Sequence, residues 1–398
     1  MNYAIITTLI CLLVSLRITK NIFAPTSIVS ALWLFCILAY WIYPHNLLPL
    51  KEQFYLGISL WVGFFTFSAL FIQSIYFKKS NIELPNIHVQ NFYFIVSVIS
   101  FPFVLYGVYS KIVDLGLTKN IFYNLRLLAV GSIKGLDEGT SKNYFAIIWI
   151  VSYLVELMHF DKKRKWIFIA ILIINIGWAF IVMSKTIFLF VFISTLSVLL
   201  FKKLIKPRTI YLSGLIIFIF FFLLQFIRTS DYTKKDDLGY DFFSLYVLSG
   251  MPAFEKVKSQ SSYEFGESTF RFIYSLTNKL NISNSKVEDS LLPYTTIDKK
   301  NKISTNVYTT LYPYYKDFGY SGIIFFAIVS GLFYGYIFKK VVNKDNPKFI
   351  VYSILITLLL TQFMNESLFS ALSLIIQLLI LSHLPYWTNK LVLKRRSF

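Results

Sequence analysis

Four cationic side chains lie in, or directly beside, strongly apolar sequence. They are Lys185, Arg228, Arg126 and Arg271. A cation on apolar surface is costly unless it finds an anionic partner or reaches the membrane–water interface. The planar guanidinium group of arginine binds phosphate oxygens in pairs, and lysine acts on them as a point charge. Two or more of these cations meeting at one depth would form an anion site, whereas cations that separately extend to lipid headgroups would not. Both interpretations stay open.

Acidic residues accompany apolar segments in the second half of the chain. They are Glu264, Glu267, Asp298 and Asp317. A carboxylate whose pKa suits the operating pH can act as a general base. Asp317 begins the sequence Asp-Phe-Gly-Tyr-Ser-Gly, which opens an apolar run. An acid in the first turn of a helix also caps free N–H groups and suits the helix dipole. Catalytic and capping roles for Asp317 are therefore both open, and Glu366, in a short link between two apolar runs, belongs either to a turn or to a cavity.

The signatures of most soluble enzymes are absent from the sequence. The four histidines, His45, His88, His159 and His383, have no metal-ligand spacing. There is no phosphate-binding loop, no Gly-rich dinucleotide turn and no nucleophile elbow. The two cysteines lie in apolar runs and predict no disulfide framework. We therefore expect neither a metal nor a cofactor.

The elements that must position the charged residues are membrane-spanning helices. The chain has 398 residues, of which 56% are hydrophobic and 15% are charged, whereas soluble domains have about 45–50% apolar and about 25% charged residues. A bilayer core about 30 Å thick needs about 20 apolar residues per helix. We identify eleven candidate runs, at 2–16, 26–43, 54–77, 92–110, 143–160, 166–183, 186–201, 209–227, 320–338, 349–364 and 368–385. The predicted fold class is an all-α polytopic membrane protein.

The positions of the charges predict the orientation of these runs. The net charge is +19, and 20 of the 39 Lys and Arg residues lie in six short segments with only three acids. These segments are 17–25, 78–91, 161–165, 202–208, 339–348 and 386–398. Short basic loops face the cytoplasm, so we expect the N-terminus outside and the C-terminus in the cytoplasm. The basic charge then requires no nucleic acid as a partner, and Glu156, near the same face, is expected to pair with Lys162 or Lys163.

Two long loops are expected on the outer face. The first, at 111–142, repeats apolar residues at helical spacing and predicts an amphipathic helix on the membrane. The second, at 228–319, lies between the eighth and ninth spans, and its segments 242–254 and 268–280 predict short helices. No linker or internal repeat marks off a soluble domain. We therefore predict a single membrane domain over 1–398 in which both loops cap an external cavity.

One stretch of the second loop resembles a known enzyme family. It runs from Asn306 to Gly322 as Asn-Val-Tyr-Thr-Thr-Leu-Tyr-Pro-Tyr-Tyr-Lys-Asp-Phe-Gly-Tyr-Ser-Gly. An apolar span with Gly331 and Gly335 follows it. The stretch resembles the Thr- and Tyr-rich segment and the Asp-Phe-Gly-x-x-Gly helix start of oligosaccharide repeat unit polymerases. These are the Wzy-type polymerases of O-antigen and capsule.

Shorter motifs extend the resemblance to the region from about 180 to 340. Met183-Ser-Lys-Thr186 looks like the family's tight turn, with lysine in place of the usual arginine. The loop segments at 246–254 and 265–270 look like the motifs that follow it. Arg228 and Gly239 match a spacing of arginine, ten residues and glycine that some such polymerases carry in two loops. The first loop departs from that pattern, because Asp137 stands eleven residues after Arg126, and this puts a paired-loop mechanism in doubt.

The resemblance implies a glycosyltransferase of the bacterial inner membrane whose active site faces the periplasm. Such an enzyme transfers the growing chain from its polyprenyl diphosphate to the non-reducing end of an incoming lipid-linked unit. Its partners would be the lipid-linked donor and acceptor, membrane lipids and a chain-length regulator protein. The donor is activated by its own diphosphate, which suits a chain whose expected cytoplasmic loops have no room for a nucleotide site.

The resemblance also implies roles for individual residues. The diphosphate would be bound by the four cations, Lys185, Arg228, Arg126 and Arg271. Glu267 or Asp317 would take the proton from the acceptor hydroxyl. Sugar rings would be bound by Asn306, Tyr308, Tyr312 and Tyr315, although tyrosines in this stretch are equally typical of a membrane-interface belt.

Two other functions remain as alternatives. An O-antigen ligase uses the same donor, but ligases typically rely on a periplasmic histidine, and the second loop contains none. A lipid-linked oligosaccharide flippase or secondary transporter would carry ionisable residues at mid-membrane and broken helices. Charges are nearly absent from the middle of the apolar runs, which favours a polymerase over a transporter.

Overall fold

Helices make up most of the chain in the computed structural model, which describes residues 1–77, 84–114, 121–130, 144–183, 185–206, 209, 213–214, 219, 243–259, 265–285, 287, 292–299 and 303–396. Within these ranges, the side chains of residues 114, 123, 126, 129, 130, 185 and 390–396 lie outside the description. The helices are α1 (Asn2–Thr19), α2 (Pro25–Ile42), α3 (Glu52–Ser74), α4 (Ile87–Asp114), α5 (Ile121–Val130), α6 (Phe145–Met158), α7 (Lys165–Val182), α8 (Lys185–Phe201), α9 (Gly250–Phe254), α10 (Arg271–Lys279), α11 (Tyr312–Val342), α12 (Asn346–Leu360) and α13 (Leu372–Arg396). Lys162–Arg164 forms a 3₁₀ turn and Ser244–Leu248 a π-helical turn.

The chain forms two compact units, each assembled from segments that are not continuous in sequence. The first unit contains Met1–Asn81, Gly239–Asp345 and Leu358–Ile376. The second contains Ile82–Leu238, Asn346–Thr357 and Gln377–Phe398. The single membrane domain with a loop cap stays a prediction.

Six of the described helical segments are long and apolar enough to cross a membrane, judged by length and composition. They are Asn2–Thr19, Pro25–Ile42, Glu52–Ser74, Ile87–Val113, Lys162–Val182 and Tyr312–Val342. Shorter apolar helices occupy Phe145–Met158, Thr186–Phe201, Ser244–Phe254 and Asn346–Leu360. These features indicate a membrane protein. The eighth predicted run, 209–227, lies almost entirely outside the described residues, and the count of eleven spans and their orientation stay predictions.

In the first unit, α1 and α2 form a hairpin whose ends follow from local chemistry. Lys20 closes α1 in a left-handed conformation with φ of 52°. Pro25 is the first residue of α2, a position where the missing N–H of proline costs nothing. Between the helices, the Ser15 hydroxyl hydrogen-bonds with the hydroxyl of Thr26 and, at 2.7 Å, with that of Ser27. Hydroxyl bonds of this kind join helices inside membranes.

The helices α3 and α11 pack together through glycines. A Cβ atom added at Gly331 would lie 2.5 Å from the carbonyl oxygen of Phe65. One added at Gly335 would lie 2.6 Å from the carbonyl oxygen of Ala69. Small residues four positions apart let two helix backbones approach closely in a membrane. The spacing of these two glycines therefore sets how near α11 lies to α3.

The second unit has an aromatic core around Trp149. The fully buried ring of Trp149 lies 5.6 Å, centroid to centroid, from both Phe101 and Trp178. Its indole N–H donates to the hydroxyl of Ser100 at 2.9 Å. The side-chain amide of Asn175 donates to the backbone oxygen of Trp149 at 3.0 Å. These contacts join α4, α6 and α7, and they engage the Trp149 indole and the Asn175 amide, whereas the buried indole N–H of Trp178 has no hydrogen-bond partner among the described residues.

A buried ion pair lies at one end of the second unit. Glu156 receives two bonds from Arg164, one from Nε at 3.1 Å and one from Nη2 at 2.5 Å. The partner is thus Arg164 rather than the expected Lys162 or Lys163. The reason is local, because the 3₁₀ turn after Asp161 directs Arg164 back toward α6. The planar guanidinium then matches the carboxylate with two parallel bonds.

His159 follows α6 in the same part of the second unit. Its Nε2 lies 2.9 Å from the Tyr386 hydroxyl. The imidazole serves as a hydrogen-bonding group within the packing of the unit.

A short β-hairpin in the first unit departs from the all-α expectation. Its strands are β1 (Thr295–Thr296) and β2 (Ser304–Thr305), and they pair antiparallel with Thr295 opposite Thr305. Threonine is β-branched and suits a strand. The fully buried Asp298 accepts the N–H of Ile303 at 3.1 Å. The helices expected within 242–254 and 268–280 are confirmed by the π-helical turn, α9 and α10.

Candidate functional site

The two candidate acids, Asp317 and Glu267, belong to two segments that contact each other in the first unit. Asp317, half-buried in α11, accepts the N–H of Thr269 at 2.7 Å through Oδ2 and the N–H of Ser268 at 3.3 Å through Oδ1. Glu267, also half-buried, directly precedes Ser268. The prediction that Asp317 caps the first turn of its own helix is therefore wrong. Asp317 is the sixth residue of α11, and the N–H groups that it accepts belong to the turn before α10.

Aromatic rings also join the segment before α10 to the segment of α11 that contains Asp317. Phe265 and Phe318 lie with their ring centroids 5.1 Å apart, and Phe270 lies 6.4 Å from Phe318. Gly266 has φ of 67°, and a Cβ there would lie 2.5 Å from the Phe270 ring. Only glycine fits this turn without strain. The segments 265–270 and 317–318 therefore form one packed feature, although about fifty residues separate them in the chain.

The Asp-Phe-Gly-x-x-Gly sequence produces a bend in α11. Gly319 has φ of 64° and ψ of −149°, a region of backbone space essentially limited to glycine. The chain folds back so that Gly322 lies against the carbonyl oxygen of Tyr314, and a Cβ at Gly322 would lie 2.6 Å from the Cβ of Phe318. Both glycines of the motif are thus required by the geometry of one bend.

Most of the tyrosines in this stretch are packed inside the protein. Tyr308 and Tyr312 are 5% and 6% exposed, with ring centroids 4.5 Å apart. The Tyr308 hydroxyl donates to the backbone oxygen of Pro293 at 3.0 Å. Tyr314 is fully buried and stacks on Trp61 at 5.5 Å. In this arrangement none of the three presents an open ring face to a sugar, whereas Tyr315 and Asn306 are half-buried.

A buried amide that sequence reasoning missed lies beneath this segment. The side-chain oxygen of Gln362 accepts the indole N–H of Trp33 at 3.1 Å and that of Trp61 at 3.2 Å. Its backbone oxygen accepts the N–H of Thr310 at 2.8 Å. Gln362 thereby connects α2, α3 and the segment before α11. The sequence did contain a signal for this site, because Gln362 is a single glutamine within the apolar run 349–364.

Glu366 proves to be a turn residue. Its carboxylate is buried and accepts backbone N–H groups from Leu368 at 2.6 Å, from Phe369 at 2.9 Å and from Ser370 at 2.7 Å. Of the two roles that the sequence left open, the turn is the one observed. Three such bonds satisfy much of the hydrogen-bonding capacity of one carboxylate.

The predicted anion site stays a prediction. Arg271 is half-buried and is the first residue of α10 in the first unit. Arg126 lies in α5 and Lys185 begins α8, both in the second unit, and their side chains lie outside the described part of the chain. Arg228 lies outside the described residues altogether, as do Gly239 and Glu264.

The carboxylates of Asp317 and Glu267 differ in the hydrogen bonds that they accept. Both oxygens of Asp317 are engaged by backbone N–H groups, so its charge is used to hold the turn. No hydrogen bond from a described residue engages the Glu267 side chain, which keeps its capacity to accept a proton. Among the described residues, no three His, Cys, Asp or Glu side chains lie close enough to hold a metal ion.

Comparisons with protein-family models, with curated proteins and with solved structures find no match to this chain.

Proposed function

We propose that this protein is a membrane glycosyltransferase that joins polyprenyl-diphosphate-linked oligosaccharide units into O-antigen or capsular polysaccharide. One observation carries the proposal. The segments 265–270 and 317–322 each resemble a motif of the Wzy-type polymerases, and they pack together through Asp317 and through Phe265 and Phe318. Because the two motifs lie apart in sequence and contact each other in the structure, they support the proposal of one common site.

In the proposed reaction, a hydroxyl of the incoming unit attacks the anomeric carbon that joins the growing chain to its lipid diphosphate. The new glycosidic bond forms as the bond to the diphosphate breaks. The hydroxyl proton passes to a carboxylate, and the lipid diphosphate leaves as an anion. Because the donor supplies its own leaving group, the reaction needs no cofactor.

We assign the proton acceptor to Glu267 and a positioning role to Asp317. The bonds from Ser268 and Thr269 to Asp317 hold the turn that carries Glu267. A general base has to lie at a fixed distance from the proton that it removes. Two hydrogen bonds from the residues that directly follow Glu267 supply that fixed position.

The leaving diphosphate needs cations at the depth of the lipid headgroups. Arg271, four residues after Glu267, is the member of the predicted cation set that lies beside this turn in sequence. Lys185, Arg228 and Arg126 complete the proposed set. Oriented cations in a site with little water stabilise charge that develops in a transition state.

The proposed location is the bacterial inner membrane, with the site facing the periplasm. The donor and the acceptor are both lipid-linked oligosaccharides that lie in the outer leaflet. Membrane lipids surround the enzyme, and a chain-length regulator protein is the proposed partner. The apolar helices of the described chain support a membrane location.

The test is polymerisation by the purified protein in lipid vesicles. The substrate is the lipid-linked oligosaccharide of the strain that encodes the protein, and the product is read as a ladder on a gel. We expect Glu267→Gln to lower the rate by about 10²–10⁴, the usual contribution of a general base. Asp161→Asn is the matched control, because Asp161 caps the 3₁₀ turn before α7 and has no role in the proposed chemistry.

The outcomes separate the parts of the proposal. No ladder with the wild-type protein would refute the polymerase assignment. A wild-type rate in Glu267→Gln would refute the choice of base, and wild-type rates in both Arg228→Ala and Lys185→Ala would refute the cation site. A deletion strain distinguishes the alternatives, because a polymerase mutant displays single-unit glycolipid, a flippase mutant displays none, and a ligase mutant accumulates lipid-linked polymer.

A further inference from the structure

A second group of aromatic and acidic side chains lies in the first unit, and the sequence singled out only one of its members. We call it the tyrosine–glutamate cluster. Its members are Tyr3, Glu52, Tyr55, Glu255, Tyr315 and Tyr320. They come from α1, from the first turn of α3, from the end of α9 and from the bend in α11. Only Tyr315 was a predicted site residue.

Glu255 is held rigidly at the start of α3. Its Oε1 accepts the N–H of Lys51 at 2.7 Å and that of Phe54 at 3.0 Å. The amide of Gln53 donates to the backbone oxygens of Phe254 at 2.9 Å and Val257 at 2.8 Å. These four bonds fix the segment around Glu255 against α3. No described residue donates to the second carboxylate oxygen of Glu255, so that oxygen is available to a ligand.

The tyrosine rings meet because α11 is bent. Tyr315 and Tyr320 lie with ring centroids 5.1 Å apart in an edge-to-face arrangement. In a continuous helix, side chains five residues apart point in different directions, since neighbours on one face are three or four apart. The bend at Gly319 removes that separation. Tyr315 also packs on Phe254 at 5.3 Å, which connects the pair to Glu255.

The cluster contains two carboxylates, and several of its side chains are accessible from outside the protein. The charge of Glu255 acts on the hydroxyls of Tyr3, Tyr55 and Tyr320, and Glu52 acts on those of Tyr3 and Tyr320. Tyr3 is 41% exposed and Glu52 is exposed, whereas the other members are half-buried. Within the described chain, no Lys or Arg forms an ion pair with either glutamate.

Two of the nearby lysines, Lys256 and Lys316, contact other residues, whereas Lys51 is exposed and directly precedes Glu52. Lys256 Nζ donates to the hydroxyl of Thr296 at 2.8 Å. Lys316 Nζ lies 5.7 Å from the centre of the Tyr312 ring. Neither contact involves a member of the tyrosine–glutamate cluster. The carboxylates of the cluster therefore keep their capacity to accept hydrogen bonds.

The chemistry of the cluster fits a sugar. A tyrosine ring packs against the C–H face of a pyranose, and its hydroxyl both donates and accepts hydrogen bonds. An ionised carboxylate only accepts, so it suits a ligand rich in O–H donors. A uronic acid would add a like charge beside two carboxylates, which is unfavourable. The cluster therefore favours a neutral or amino sugar.

The position of the cluster along α11 relates it to the proposed reaction. Tyr315 lies two residues before Asp317, and Tyr320 lies three residues after it, across the bend at Gly319. Adjacent Cα atoms are about 3.8 Å apart, so the Cα atoms of Tyr315 and Tyr320 lie within about 8 Å and about 12 Å of that of Asp317. A sugar packed against the outer faces of these rings therefore lies within the length of a short oligosaccharide from the turn that carries Glu267. The sugar that must present a hydroxyl to a general base is the one that attacks, which belongs to the acceptor.

We infer that the tyrosine–glutamate cluster binds the non-reducing terminal sugar of the acceptor oligosaccharide, and that this sugar is neutral or an amino sugar. The inference rests on the proposed function and names the acceptor site for it. It also replaces the buried Tyr308 and Tyr312 as sugar contacts with Tyr315, Tyr320 and the two carboxylates.

The test measures binding of the acceptor separately from catalysis. The probe is the lipid-free oligosaccharide released by mild acid from the lipid-linked pool of the strain. It is added to the protein in lipid nanodiscs, and saturation transfer from protein to oligosaccharide is measured by NMR. We expect transfer to be strongest at the terminal sugar. Loss of one charge-assisted hydrogen bond in Glu255→Gln should raise the Kd at least about tenfold.

Both binding-site variants are conservative, which keeps the test independent of folding. Glu255→Gln retains the oxygen that caps α3, and Tyr320→Phe retains the ring that packs on Tyr315. We expect Tyr320→Phe to raise the Kd about fivefold for the loss of one neutral hydrogen bond. The control is Tyr76→Phe, because Tyr76 is 86% exposed just beyond the other end of α3, and it should leave the Kd unchanged.

Each outcome decides the inference. A polymerising wild-type protein whose acceptor KM and Kd are the same in Glu255→Gln, Tyr320→Phe and Tyr76→Phe overturns the inference and leaves the proposed function intact. Displacement of the oligosaccharide by an alkyltrimethylammonium salt, but not by neutral glycosides, shows a cation site and also overturns it. If the wild-type protein does not polymerise, the proposed function fails, and the acceptor assignment fails with it.

Discussion

Replacing Gly319 by alanine tests the bend on which the candidate site depends. Gly319 has φ of 64° and ψ of −149°, where an L-residue with a Cβ is strained by about 1–3 kcal/mol. Alanine also reduces the freedom of the unfolded chain, which offsets about 0.4–1 kcal/mol of that strain. The steric contact contributes little, because the added Cβ would lie 3.3 Å from the hydroxyl oxygen at the end of the exposed Ser259 side chain. We expect Gly319→Ala to lower the free energy of unfolding by about 1–2 kcal/mol.

Gly63 supplies the matched control for this substitution. It lies within α3, and a Cβ added there would meet no atom within 4 Å. Replacing glycine by alanine inside an unobstructed helix stabilises it by about 0.5–1 kcal/mol. The substitution is therefore expected to lower the free energy of unfolding at Gly319 and to raise it at Gly63. The two variants should differ by about 2 kcal/mol.

The native cysteines provide the assay. The sequence has two, Cys11 and Cys36, and Cys36 is fully buried in α2 of the first unit. In a Cys11→Ser background, a thiol-reactive fluorophore reports the exposure of Cys36 alone as the protein is unfolded with a denaturing detergent. The midpoint and slope of that titration yield the free energy of unfolding for Gly319→Ala, for Gly63→Ala and for the parent.

The activity of Gly319→Ala provides a second measurement. Straightening α11 would separate Tyr315 from Tyr320 and would move Asp317 away from Ser268 and Thr269. We therefore expect polymerisation to fall, while Gly63→Ala retains it. The reasoning is wrong if Gly319→Ala is as stable as Gly63→Ala, since the bend would then impose no backbone strain.

Two further substitutions test buried polar groups. Gln362→Leu removes the acceptor of the buried Trp33 and Trp61 indoles. Each unsatisfied donor costs about 1–3 kcal/mol, so the free energy of unfolding in the same detergent titration should fall by about 2–6 kcal/mol. A loss below about 1 kcal/mol would contradict the bridging role. Glu156→Gln leaves the largely buried Arg164 without its carboxylate and should cost about 3 kcal/mol. The double variant with Arg164→Met should recover much of that loss, and strictly additive effects in the double-mutant cycle would show that the pair is not coupled.

The bend gives physical meaning to the motif on which the resemblance rests. Gly319 supplies a backbone conformation that other residues avoid, and Gly322 leaves room for the carbonyl oxygen of Tyr314. Asp317 holds the turn that carries Glu267. The sequence Asp-Phe-Gly-x-x-Gly is thus a device that joins a loop to a bent helix, and the proposed chemistry would take place beside it.

Local sequence determined the helices. Long apolar runs have few alternatives to helix where water is excluded, because every backbone polar group has to be satisfied within its own segment. The predicted runs 26–43 and 320–338 fall within or close to α2 and α11. Their ends could also be anticipated from residues such as Pro25. The hairpin at 295–305 could not, since its strands are only two residues long and depend on pairing between them.

Tertiary structure alone decided three contacts: that of Asp317 with the 268–269 turn, that of the two indoles with Gln362, and the packing of Tyr315 on Phe254. Each joins residues that lie far apart in sequence, and hydropathy contains no information about which buried donor meets which acceptor. The burial of Tyr308 and Tyr312 has the same origin. Their residue type suits a sugar platform or a packed core equally well, and only the surrounding chain determines which face is covered. Sequence by itself therefore identified an apolar helical protein and a motif, while the bend at Gly319 and the contacts across it decided which side chains stand together.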